Sequence, residues 1–330
     1  MLKSKKLLCS TLVTFCLTFG STAMAADMPG EGVTVIPGQS GIEGELFQTL
    51  VVMQGLRDLG YDVKEMQVAK YPALHISIAN GDVTFLASHW RDLHQSFYDK
   101  AGGDEKLSRE GILVANNAQG YLIDKKTAEA NNITNLAQLR DPEIAKLFDA
   151  NGDGKADLAG CVPGWGCEKV IEKQMDASKL RDTVTHNQGE YSAMIADTIA
   201  RYKQGGSILY YTWTPYWVSG KLVPGKDVVW LQVPTEESPD TALSNDQNYG
   251  FMPDNQSVVV NKKFVDENPA AASFLKNASI NVNDVSAENM AQLEEGQKGL
   301  PGATMHAEAW IKANSELYNS WLEEARAAAE

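Results

Sequence analysis

Three tryptophans stand where a ligand would meet them. Trp90 opens the run Trp90-Arg91-Asp92-Leu93-His94 just after a predicted strand, Val83 to Ala87. Trp165 lies in the glycine-rich stretch Gly160-Cys161-Val162-Pro163-Gly164-Trp165-Gly166-Cys167-Glu168, and Trp213 in Tyr210-Tyr211-Thr212-Trp213-Thr214-Pro215-Tyr216-Trp217. Core tryptophans sit on periodic faces. These occupy strand ends or a glycine-rich loop, and in an open α/β sheet the carboxyl ends of the strands face the binding crevice. Their chemistry is recognition rather than bond making. His94 adds a ring that donates or accepts hydrogen bonds. Tyr211 and Tyr216 are further candidates to line such a crevice, while Trp217 and Trp230 read as packing.

The N-terminus states where the chain works. Lys3, Lys5 and Lys6 precede an apolar run from Leu7 to Phe19 and then Ala23-Met24-Ala25, the three parts of a cleavable export signal spanning residues 1–25. The run is short and rich in Ser and Thr for a membrane span, and no second stretch approaches the roughly 20 apolar residues that a span needs. Neither Cys9 nor Cys16 follows the cleavage motif, so the mature chain is expected to carry no lipid anchor and to be soluble in the periplasm.

The chain has a formal net charge of −14, and loss of three leader lysines makes the remainder more acidic still. Nucleic acid and anionic lipid are poor partners for such a surface. Only Cys161 and Cys167 remain after cleavage; in an oxidising compartment an even count suggests one disulfide across a tight loop, against a pair of buried thiols.

A mature chain of this length exceeds what one core usually spans, so two lobes are expected. Strands predicted at Val33 to Ile36, Val83 to Ala87, Gly120 to Ile123, Ser207 to Thr212, Val228 to Val233 and Ser257 to Val260 alternate with helices, among them Glu45 to Leu59 and Glu168 to Met175. That alternation implies largely parallel sheets flanked by helices, an α/β class. The first lobe is expected from residues 26–117 and a return segment 253–330, the second from 118–252, with the ligand in the cleft between them. Trp310 and Trp321, on helical spacing with Leu317, read as packing, and Thr235 to Asn248 as the one long loop.

Other chemistries fit less well. Gly38-Gln39-Ser40-Gly41 lacks the glycine that a nucleophile elbow carries two residues after its serine, and His75, His89 and His94 form no H-E-x-x-H pair, so an exported hydrolase is the weaker reading. Asp149, Asn151, Asp153 and Asp157 have calcium-loop spacing with Gly154 at the turn, but Gly160 stands where the bidentate acid belongs; an Asx-rich turn competes with a structural calcium there. No cofactor is expected otherwise.

Over nearly its whole mature length the sequence resembles the periplasmic glycine betaine-binding component of ABC-type osmolyte importers. The most specific stretches are Gln119 to Lys126, Phe148 to Glu168, Thr185-His186-Asn187-Gln188-Gly189 and Tyr210 to Val218. The resemblance implies a two-lobed periplasmic binding protein, a tryptophan box of Trp90, Trp165 and Trp213 around a trimethylammonium group, and a carboxylate held by His94 and the backbone amides of Gly166 and Cys167. Arg91-Asp92 replaces a Thr-Pro pair often found between that tryptophan and histidine, which bears on the charge at the site's rim. Partners implied are a small zwitterion such as glycine betaine or proline betaine, and a membrane permease with its ATPase, served by a monomer. Choline, carnitine or a sulfonium compound is the alternative ligand within the fold.

The physics agrees with the match. A quaternary ammonium has no N–H to donate, so shape and charge alone recognise it, and aromatic faces supply both at about 0.5–2 kcal/mol each. Such contacts are screened by salt far less than exposed ion pairs.

Overall fold

The computed structural model describes residues 28–241, 247–294 and 298–330. The export segment 1–25, with Cys9 and Cys16, and part of the predicted loop Thr235 to Asn248 lie outside the described residues. Among the described residues no helix is long and apolar enough to cross a membrane.

Short strands alternate with helices from the start. β1 (Thr34–Val35) pairs in parallel with β3 (Asp62–Val63), and β2 (Pro37–Gln39) lies in parallel between β4 (Gln67–Val68) and β5 (Phe85–Trp90). The helix Leu46–Asp58 is buried almost all round, from Phe47 to Met53 without a break and again at Gly55 and Leu56, because it lies between the sheet and the C-terminal helices. The helix Tyr71–Asn80 instead buries a single stripe, Tyr71, Leu74, His75 and Ile78, at helical spacing.

β6 (Leu107–Asp124) is an 18-residue strand and the spine of the molecule. Leu107 to Asn117 pairs antiparallel with β11 (Asp254–Asn261), whereas Ala118 to Asp124 pairs antiparallel with β9 (Leu209–Thr214) and β10 (Val228–Leu231). β7 (Ala156–Ala159) runs parallel to β9 on one side and to β8 (Val184–Asn187) on the other. The sheet order is thus β4-β2-β5-β11-β6-β9-β7-β8, with β10 also on β6. Parallel pairing holds in the outer strands, and antiparallel pairing surrounds β6 and β11.

This strand is far longer than the Gly120 to Ile123 segment expected from sequence. Gly111 and Asn116-Asn117 look like breakers, but Asn116 adopts a φ of 61° and the register with β11 shifts twice, so the ladder absorbs them as bulges.

Two apolar clusters follow from this layering. One lies under the C-terminal helices, where Trp310 and Trp321 stack at 6.2 Å and Phe47 meets Trp310 edge-on at 6.0 Å. Leu317 does not share it and is 45% exposed, contrary to its expected place beside the tryptophans. The helix Ser315–Ala327 buries Tyr318, Trp321, Leu322 and Ala325, and Leu317 stands one residue, about 100°, off that stripe. The other cluster runs without a break through both lobes and contains Trp90, Tyr71, Tyr211, Trp213 and Tyr216, with Trp165 packed against it.

Candidate ligand-binding cleft

Trp90 is the last residue of β5, and the turn after it is built on a carboxylate that sequence reasoning missed. Asp254, at the start of β11 and 2% exposed, accepts from the backbone N–H groups of Asp92 (3.2 Å), Leu93 (3.0 Å) and Asn255 (2.7 Å). Burial raises its pKa while those amides work against the rise. The turn closes with His94 N–H donating to Trp90 O at 2.9 Å. In return the Trp90 amide donates to His94 Nδ1 at 3.3 Å.

That last bond sets the tautomer. Burial, then the neighbouring His75, hold His94 well below the usual imidazole range, so the ring is neutral. With Nδ1 accepting, the single proton sits on Nε2. The ring rests on Tyr71 at a centroid distance of 4.1 Å. His94 therefore carries one fixed N–H donor. Arg91, by contrast, does not charge the rim of the cleft: its guanidinium turns to Ser257 Oγ at 2.9 Å and Gly111 O at 3.5 Å, tying β6 to β11.

In the second lobe Trp165 is the N-cap of the helix Gly166–Ala177, which begins two residues before the predicted Glu168. Gly166 and Cys167 are its first two residues, so their amides have no partner within the helix and lie at its positive end. The loop before it is held at three places. Cys161 and Cys167 form the expected disulfide, with Cα atoms 6.0 Å apart. Glu168 accepts from Gly164 N–H at 2.7 Å, and Cys161 N–H donates to His186 Nε2 at 3.0 Å. His186 Nδ1 in turn bonds Glu172 at 2.6 Å, on the same helix.

Trp213 collects the aromatics of this lobe. Its ring lies 5.6 Å from Trp165 at 79°, 4.7 Å from Tyr191, and 4.4 Å from Tyr216 in a stack. Tyr191 is fixed from behind, its hydroxyl donating to Tyr211 O (2.8 Å) and accepting from Thr212 Oγ1 (2.9 Å). Tyr216 thus belongs to the aromatic group around Trp213, while the Tyr211 hydroxyl donates into the interior, to Gln119 at 2.7 Å.

The lobes touch at this place. A Cβ on Gly166 would lie 2.6 Å from Leu93 Cγ, and one on Gly44 would lie 2.8 Å from Tyr216. Lys70 Nζ reaches Pro163 O at 3.5 Å. The turn Trp90 to His94 and the helix start at Gly166 are therefore neighbours across the cleft.

Sequence reasoning also missed Glu45. It is 3% exposed and closes the short turn Glu43–Glu45 ahead of the helix Leu46–Asp58. Its carboxylate accepts from Ser40, from Ser88 at 2.7 Å, from Tyr71 at 2.7 and 2.9 Å, and from Trp90 Nε1 at 3.5 Å. Ser40, on which a hydrolase would depend, is spent on this carboxylate and shares no hydrogen bond with a histidine among the described residues.

His75, His89 and His94 converge although their spacing does not announce it, with ring nitrogens within 4.8 Å of one another. His75 bonds Tyr71 O at 2.7 Å through Nδ1 and His89 Nδ1 at 2.9 Å through Nε2, so His75 and His89 are bonded to each other. In the calcium-like loop the side chains bond backbone amides in Asx turns: Asp149 accepts from Gly152 and Gly154, Asn151 from Asp153, Asp153 from Lys155, and Asp157 from Ala150 and Asn151. Gly160, at the register of the missing acid, backs onto the His186 ring.

Known proteins give this geometry a family. Residues 33–313 match the family described as the substrate binding domain of ABC-type glycine betaine transport system. The glycine betaine/proline betaine-binding periplasmic protein of Escherichia coli (strain K12) is 51% identical over 319 residues, 95% of this chain and 96% of that one. The glycine betaine-binding periplasmic protein OusX of Dickeya dadantii (strain 3937) is 52% identical over 311 residues, 92% and 93% of the two chains. Among solved structures, lactococcal OpuAC in its closed-liganded conformation with glycine betaine has a TM-score of 0.68 at 20% identity, covering 88% of this chain and 99% of that one. An ABC-transporter choline binding protein in complex with choline has a TM-score of 0.70 at 18% identity, covering 90% and 96%. At those identities the structural likeness speaks for the fold.

The chain belongs to the substrate-binding domains of ABC-type glycine betaine transport systems. Members of this family bind a solute for transport, and the Escherichia coli and Dickeya dadantii relatives are periplasmic proteins.

Proposed function

We propose that this chain captures glycine betaine, and proline betaine by the same contacts, between its lobes and delivers it to the membrane permease of an ABC importer driven by its ATPase. The trimethylammonium group is enclosed by Trp90, Trp165 and Trp213. The carboxylate is held by His94 Nε2–H and the amides of Gly166 and Cys167. The observation that carries this reading is the contact of Leu93 with Gly166, which makes the Trp90 to His94 turn and the free helix amides neighbours.

The chemistry is that of a short zwitterion. A charge-assisted hydrogen bond to the carboxylate contributes about 1.5–3 kcal/mol, and each aromatic face about 0.5–2 kcal/mol. Choline lacks the anion and leaves the three donors unpaired. Because ligand contacts come from both lobes, binding favours the closed form, which the importer then reads. On this reading residues 26–117 and 253–330 form the first lobe and 118–252 the second. The leader 1–25 is removed near Ala25 on export, and the mature protein acts as a periplasmic monomer without metal or cofactor.

Titration calorimetry with glycine betaine, proline betaine, choline and glycine tests the proposal. The two betaines bind with dissociation constants near micromolar, choline more weakly and glycine not measurably. Glycine binding as tight as betaine contradicts it.

A further inference from the structure

Glu45 is a buried carboxyl group with no basic partner among the described residues. Its contacts are all donors. Ser40 Oγ accepts from the Ile42 amide, which directs the hydroxyl proton to Glu45. The Ser88 and Tyr71 hydroxyls both lie within hydrogen-bond distance of the Glu45 carboxylate, and the Trp90 indole N–H can only donate. A carboxylic acid would need one of these groups to accept its proton; a carboxylate satisfies them all.

Among the described residues no lysine or arginine forms an ion pair with Glu45, and its surroundings are hydroxyls and an indole. His94, which rests on Tyr71, is neutral. An ion buried in this way is held by its hydrogen bonds and still lacks an opposite charge.

Its position says what that charge is. Glu45 bonds the edge of Trp90, and the adjacent Gly44 abuts Tyr216, the ring stacked on Trp213. The carboxylate therefore lies behind the aromatic cage, close to both lobes' contributions. We propose that Glu45 is the charge-selecting residue of the site, an ionised carboxylate behind Trp90 that serves as counterion to the ligand's quaternary nitrogen and makes the cage prefer it over an uncharged group of the same shape. This rests on the betaine reading above. Glu45 touches the indole rather than the ligand: it acts through the field across the ring and through electron density that its bond to Nε1–H leaves on the indole face.

The test compares glycine betaine with 3,3-dimethylbutanoate, in which a neutral tert-butyl group replaces the trimethylammonium. Calorimetry of the full mature chain gives the ratio of their dissociation constants. The wild type prefers betaine, Glu45→Gln reduces that preference at least tenfold, and Glu45→Asp, which keeps the charge, retains most of it. A role limited to packing would weaken both ligands together and leave the ratio unchanged, and an unchanged ratio in Glu45→Gln overturns the proposal. A wild type that binds no betaine instead overturns the functional reading. Should Glu45→Gln fail to fold, infrared spectroscopy of the wild type decides the matter: the proposal expects no buried carboxylic acid carbonyl band assignable to Glu45 at neutral pH, and its presence refutes the inference.

Discussion

Leu93 and Gly166 meet so closely across the cleft that a methyl group at residue 166 would stand 2.6 Å from Leu93 Cγ and 2.7 Å from its carbonyl oxygen. The absent side chain is what lets the turn of the first lobe lie on the helix start of the second. Closure and ligand capture therefore share one contact.

Gly166→Ala keeps the backbone amide but overpacks that contact, a cost of about 1–3 kcal/mol borne by the closed form. Betaine affinity should fall roughly 5- to 150-fold by calorimetry. The melting temperature without ligand should change little, because an open form relieves the clash.

His94→Ala removes the Nε2–H donor. Loss of one charge-assisted bond costs about 1.5–3 kcal/mol, so betaine should weaken by roughly 10- to 150-fold. Choline, which has no carboxylate, should lose much less. Equal losses measured side by side would remove His94 from the carboxylate site.

Gly55→Ala tests the first lobe's core apart from the site. A Cβ there would lie 2.0 Å from Phe274 Cζ, inside the ring packed on the helix Leu46–Asp58. Alanine's helix preference, about 1 kcal/mol, is outweighed by the displaced ring. Thermal unfolding should show a loss of about 1–3 kcal/mol with betaine affinity unchanged.

The buried imidazoles predict acid sensitivity. Burial holds His75, His89 and His94 below the ordinary value near 6.5, His89 and His94 well below it. The unfolded chain then binds protons that the folded chain refuses, so their contribution is intact above about pH 6.5 and declines as pH falls toward the folded values. Glu45 and Asp254, raised by burial, contribute the opposite slope starting from the ordinary carboxylate range. Melting temperatures from pH 7.5 to 5 should fall for the wild type and fall less steeply for His89→Asn. Parallel profiles would contradict the assignment.

The tryptophan positions, the Cys161-Cys167 pair and most strands could be read from sequence because each leaves a local mark: a strand end, a short cysteine spacing, an apolar run. Glu45 and Asp254 leave none. A glutamate at a helix start reads as a solvated partner of the helix dipole. Its burial arises only when Ser40, Tyr71, Ser88 and Trp90 are folded around it. Asp254 likewise finds its amide partners some 160 residues away in sequence. The histidine cluster stayed hidden because β5 packing on the helix Tyr71–Asn80, rather than any periodic spacing, unites His75 with His89 and His94.

The central claim is a placement, and a crystal structure with glycine betaine measures it directly. The account predicts the quaternary nitrogen within about 6 Å of the ring centroids of Trp90, Trp165 and Trp213. It also predicts the carboxylate within hydrogen-bonding distance of His94 Nε2 and the amides of Gly166 and Cys167. Betaine bound in the reverse orientation, or outside the cleft, would contradict it.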